Sequence, residues 1–140
     1  IEAALRAVAG DDSESARRWA TIFLARKGGA SFVEGMERAG DRSARLVFAN
    51  AAPLADREHR DEIRRILRHW TAAAETADVR ARSAEVLGVF LRDEDVPEYR
   101  RLAHAEWDSG VRRTIEETAE ERAAPRHKIS PAEPESSNAR

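Results

Sequence analysis

The residues best able to do chemistry crowd into one stretch, Asp56, Glu58, His59, Asp61 and Glu62. Asp56 and His59 are three positions apart and Glu62 follows three later, a spacing that puts carboxylate, imidazole and carboxylate on one helix face, as a metal site requires. Such a site also needs ligands from a second helix. His104 with Asp108 is the available pair and does not repeat the spacing, so the stretch reads as a capped, solvated first helical turn and no metal is assigned to it. His69 and His104 stand alone on mixed faces, and His127 falls near the C-terminal end. There is no glycine-rich phosphate loop, nucleophile elbow or zinc spacing. The absence of cysteine removes disulfides, thiolate ligands and a cysteine nucleophile. These residues predict a chain without catalytic residues and without a cofactor.

The composition agrees. The 140 residues form one compositional block, enough for a single domain or a segment of a longer array. The hydrophobic share of 41% is swollen by alanine while aromatics make up only 6%, which favours thin layers between closely packed helices over one thick core. Alanine-rich sequence without β-branched runs favours helix over strand. Charged residues reach 36% yet the net charge is only -2, so both signs are interspersed, as on a broad solvated surface rather than a face for a polyanion. No apolar run approaches the roughly 18 residues of a membrane span, and a cytoplasmic location is expected. Because Ile1, Ala4, Leu5 and Val8 already lie in a helical pattern, the chain reads as a piece of a longer protein.

Eight helices are predicted. The first runs from Ile1 to about Ala9 and stops at Gly10, and the second carries Ala16, Trp19, Ala20, Phe23 and Leu24 before Gly28-Gly29. Ser31 to Glu34 reads as a capping box for a short third helix with Phe32, Val33 and Met36. The fourth follows Gly40-Asp41, carries Ala44, Val47, Phe48 and Ala51, and is stopped by Pro53. Asp56 caps the fifth, whose stripe is His59, Ile63, Ile66, Leu67, Trp70 and Ala74, and the sixth, after Asp78, carries Val79, Ser83, Val86, Leu87 and Phe90. Asp95 to Glu98 is a second capping box, with Pro97 in the first turn of a seventh helix bearing Tyr99, Leu102 and Ala103. The eighth, after Asp108-Ser109-Gly110, carries Val111, Ile115 and Ala119. The helical domain thus spans 1-124. From Pro125 the pattern ends, and Pro131, Pro134 and an isolated Ile129 predict a disordered tail over 125-140. Trp19, Trp70 and Trp107 lie on or beside the apolar stripes and read as core.

One pattern recurs roughly every thirty residues, as in a helical solenoid. An acidic turn is followed by a small or apolar residue, then Arg, then an apolar residue four positions after the first: Ala16-Arg17, Ala44-Arg45, Val79-Arg80 and Val111-Arg112. Each copy opens the second helix of a pair, so the second helices should stand side by side. The stretch resembles the HEAT-repeat family, whose second helix opens with an Asp-containing turn and then Val-Arg with a small residue shortly after. The match is best at Asp78-Val79-Arg80 and at Asp108-Ser109-Gly110-Val111-Arg112, is degenerate at Ala16-Arg17 and Ala44-Arg45, and covers about residues 1 to 123. The first helices lack the family's regular proline, and the repeat lengths are unequal. The resemblance implies an all-α, right-handed superhelix of four antiparallel helix pairs, and a scaffold rather than a chemistry.

A cation in the first turn of a helix faces the positive end of the dipole, at a cost of roughly 0.3 to 1 kcal/mol. Arg17, Arg45, Arg80 and Arg112 all stand there, so compensation is expected from the neighbouring Asp12, Asp41, Asp78 and Asp108, as a ladder of Asp to Arg pairs holding repeats together; the other reading is a basic ladder for a partner's carboxylates. Opposite the apolar stripes, the second helices should expose Arg18 and Thr21, Arg42, Arg82 and Glu85, and Arg113, Glu116, Glu117 and Glu120. This predicts a concave groove, basic early and acidic late, binding another protein or peptide through Arg18, Arg42, Arg82, Glu85, Arg113 and Glu117. The alternative is a nucleic-acid-binding domain similar to the HEAT-like DNA alkylation-repair glycosylases, suggested by Trp107-Asp108 before Val111-Arg112-Arg113, against which the near-neutral charge counts.

Overall fold

The computed structural model describes residues 1–4 and 13–138, with side chains as far as 123. Every regular element among them is helical. A helix α1 opens at residue 2, and its course past residue 4, with Gly10 and Asp12, lies outside the described residues. Then follow α2 (Glu14–Lys27), α3 (Ala30–Arg38), α4 (Arg42–Ala51), α5 (Arg60–Ala73), α6 (Ala77–Phe90), α7 (Val96–Ala105) and α8 (Ser109–Asn138). Short 3-10 turns at Ala52–Leu54, Arg57–His59 and Asp93–Asp95 complete the connections. The segment read as a disordered tail has helical backbone as far as Asn138, and its side chains lie outside the described residues.

The helices meet in a regular order. α3 packs on α4, α5 on α6 and α7 on α8, while α2, α4, α6 and α8 touch in succession and α3, α5 and α7 do likewise. Between these two rows runs one apolar layer in which Leu24, Phe32, Met36, Phe48, Ile63, Leu67, Leu87 and Ile115 are fully buried. Burying side chains of this size contributes about 1.5–3 kcal/mol each. Two glycines allow close approach, Gly35 between the rows and Gly88 between neighbours of one row. A Cβ on Gly35 would stand 2.6 Å from the Phe48 ring, and one on Gly88 would stand 2.4 Å from the Thr118 methyl. The ring of Phe48 in turn lies 5.4 Å from that of Phe32, tilted by 59°.

The helix starts differ from the predicted ones in detail. Asp41 caps α4 by accepting from the Ala44 N–H at 2.8 Å, and Asp108 accepts from Val111 at 3.0 Å. Ser31 caps nothing: α3 starts a residue earlier, after Gly29, whose φ of 54° lets the chain turn sharply between α2 and α3. Asp95 bends back to the Arg92 backbone N–H (3.2 Å) and Nε (3.1 Å) instead of closing a box with Glu98. Asp56 precedes a 3-10 turn and spends its carboxylate on His59. Two of the three tryptophans are also misplaced by the stripes. Trp70 is core at 3% exposure, but Trp19 is 74% and Trp107 78% exposed, and Phe23 is exposed as well.

Candidate functional site

The face formed by α2, α4, α6 and α8 carries two adjoining clefts. The first, of about 340 Å³, is rimmed by Arg18, Arg42, Arg82 and Glu14 over a floor of Ile22, Leu46, Val47 and Leu54. The second, of about 360 Å³, is rimmed by Glu85, Glu117 and Glu121, with Val86 and Val89 supplying apolar surface. Arg82 lines both. Five of the six residues predicted to meet a partner, Arg18, Arg42, Arg82, Glu85 and Glu117, therefore border a continuous surface that changes sign along its length. Arg113 is exposed on α8 but borders neither cleft. Thr21, predicted to be exposed, is fully buried. Its hydroxyl donates to the Arg17 carbonyl at 2.7 Å, which removes the cost of burying it.

The positive rim is partly neutralised from within. Arg42 donates to Asp78 on the next helix of the row at 2.5 Å, and Arg82 to Glu85 at 3.0 Å. Both pairs are half exposed. A surface pair of this kind is worth about 0–1 kcal/mol, so an incoming carboxylate can displace it at little cost.

The motif arginines do something else. The predicted Asp to Arg ladder does not form with Arg45, Arg80 and Arg112; Asp41 and Asp108 are caps, and Asp78 goes to Arg42. Instead each arginine turns back to the carbonyl six residues before it, at the end of the preceding helix. Arg45 reaches Ala39 (2.9 Å), Arg80 reaches Ala74 (2.8 Å) and Arg112 reaches Glu106 (2.7 Å). A guanidinium there satisfies a helix-end carbonyl and meets the negative pole of that helix, which outweighs its position at the positive pole of its own. Arg45 and Arg80 also reach forward to the next pair. Arg45 lies over the Trp70 ring, 5.6 Å from its centroid. Arg80 pairs with the buried Glu106 through Nε (3.1 Å) and Nη2 (3.2 Å) and lies 5.3 Å from the centroid of Trp107. Arg17 donates to Ser43 at 3.4 Å, and the residue six before it, Asp11, is outside the described residues. Glu106 was not legible as a partner, since nothing in the sequence links it to an arginine a whole repeat away.

Asp56, Glu58 and His59 place one ligand atom each within 4.8 Å of one another. All three come from one short turn, among the described residues no second helix contributes to the group, and Asp61 is engaged by Arg64 at 2.5 Å. Asp56 accepts from His59 Nδ1 at 2.9 Å, and that hydrogen bond, helped by the charges of Asp56, Glu62 and Glu58, raises the histidine pKa above its ordinary 6.5. The arrangement is an ion-paired histidine at a helix start.

No family model matches the chain, and no curated protein or solved structure does either. Among the described residues no helix is long and apolar enough to cross a membrane.

Proposed function

We propose that the chain is a HEAT-like α-solenoid serving as a non-catalytic protein-binding or scaffold module, with the α2–α4–α6–α8 face as its groove. The observation that carries this reading is the pair of adjoining clefts, basic around Arg18, Arg42 and Arg82 and acidic around Glu85, Glu117 and Glu121. An extended partner segment fits them with acidic residues at the first cleft and basic residues at the second, its apolar side chains resting on Leu46, Leu54 and Val89. Solenoids of helical pairs present such extended surfaces for binding. The order of contacts between helices and the repeated arginine geometry support the solenoid part of the reading. A duplex would need a face of continuous positive charge, and here the sign reverses within one groove. Asp108, which a glycosylase-like reading would make reactive, is committed to capping α8.

The test is affinity capture from a cell lysate, with and without nuclease, using wild type and a variant carrying Arg18→Ala, Arg42→Ala and Arg82→Ala. The expected result is a discrete set of proteins that survives nuclease and is lost with the variant. Capture that vanishes with nuclease would put a nucleic-acid partner in its place.

A further inference from the structure

The C-terminal end of α6 is ringed by arginines. Arg60 donates to the carbonyl of Val89 (3.3 Å), Arg64 to that of Phe90 (3.3 Å) and Arg122, from α8, to that of Leu91 (2.6 Å). Arg60 also lies over the Phe90 ring, 4.6 Å from its centroid. With Arg57 and Arg92 these side chains line one cleft of about 430 Å³, to which, among the described residues, only Glu58 and Asp61 bring carboxylates.

The charges there do not balance. A helix end supplies about half a negative charge. Asp61 offsets Arg64, and Asp95 and Glu94 offset Arg92 at 3.1 and 3.6 Å. None of the described ion pairs engages Arg57, Arg60 or Arg122. The Nε–H of Arg122 is buried with no acceptor among the described residues. Immediately beside this cleft, Arg65 and Arg68 are matched by Glu37 and Glu98. The lining of this cleft therefore carries five guanidiniums against the two carboxylates of Glu58 and Asp61, with Asp95 and Glu94 meeting Arg92 from outside it.

We propose that this cleft binds a phosphoryl group carried on a side chain of a partner protein. A phosphate monoester brings close to two negative charges and three acceptor oxygens, and planar guanidiniums meet it through paired N–H donors. Exposed Val89 offers apolar surface beside the anion for the rest of that side chain. A nucleic-acid backbone fits less well, because it needs a row of unmatched cations and the neighbouring arginines are matched. The carrier being a protein rests on the protein-binding reading above; the anion site does not.

The experiment titrates phenyl phosphate, benzoate, a phosphotyrosine peptide with its unphosphorylated counterpart, and a short DNA duplex into the protein by calorimetry. The variants are Arg57→Gln, Arg122→Gln and, as a surface control, Arg113→Gln, each checked for unchanged melting. The Arg57 side chain has no hydrogen bond or ion pair among the described residues, so its replacement leaves the fold intact even where Arg122→Gln perturbs it. The expected result is saturable phenyl phosphate binding, about tenfold or more tighter than benzoate, weakened about fivefold by Arg57→Gln and unchanged by Arg113→Gln. The phosphopeptide should compete and its unphosphorylated counterpart should not. No saturation, equal affinity for benzoate, or indifference to Arg57→Gln overturns the anion site. Displacement by DNA but not by the phosphopeptide leaves the anion site standing and overturns the protein carrier.

Discussion

Arg80 is the residue on which most contacts converge: the Ala74 carbonyl at the end of α5, the buried Glu106 after α7, and the face of Trp107. Its pair with Glu106 is about 6% exposed on either side, where removing one partner strands the other charge away from water. Arg80→Ala is therefore expected to lower unfolding free energy by about 3–5 kcal/mol in denaturant titration. Arg112→Ala, which loses only helix-end hydrogen bonds, should cost about 1–2 kcal/mol. His59 gives a second prediction. Its folded pKa is raised by Asp56, so protonated His59 favours the fold; that contribution is complete below the unfolded value near 6.5 and disappears as pH rises through the folded value. NMR titration should find a midpoint above 6.5 in wild type and a lower one in Asp56→Asn. An unchanged midpoint would show that Asp56 does not hold the proton.

At the scale of the elements, helix pairing depends on side chains small enough to let neighbours in. Gly35→Ala gains about 1 kcal/mol of helix propensity, but the added methyl meets the Phe48 ring locked against Phe32. Overpacking should outweigh the gain and leave the variant about 1–2 kcal/mol less stable, read as a lower melting temperature by circular dichroism. This scale also separates what was legible in the sequence from what was not. The α6 stripe of Val79, Ser83, Val86, Leu87 and Phe90 is buried throughout, as its spacing predicts. In α2 the buried set is Ala20, Thr21, Leu24 and Ala25, a face rotated away from Trp19 and Phe23. Hydrophobicity alone favours the aromatics; the threonine wins because its hydroxyl bonds within its own helix, an option no polarity scale records. Caps went astray for a similar reason, since Asp56 found His59, and Asp95 found the Arg92 side chain and the N–H that opens the preceding 3-10 turn, instead of the first N–H groups of α5 and α7.

For the molecule as a whole, the polar faces of the second helices were legible from their spacing, and the helix row brings Arg18, Arg42, Arg82, Glu85 and Glu117, though not Arg113, to two adjoining clefts. The arginine-lined cleft at the end of α6 was not, because Arg57, Arg60 and Arg122 meet only when α5 and α8 have docked. The arginines fall into two sets, one holding helix ends and, through Arg45 and Arg80, neighbouring pairs together, the other lining the clefts of the proposed groove. Thermal unfolding of two triple variants tests that division most directly. Arg45→Ala with Arg80→Ala and Arg112→Ala should unfold more than about 10 °C below wild type, given roughly 3 °C per kcal/mol for a chain of this size. Arg18→Ala with Arg42→Ala and Arg82→Ala should stay within about 3 °C, because only surface ion pairs are lost. A groove variant that melts as low as the other, or a motif variant that melts with the wild type, would contradict it.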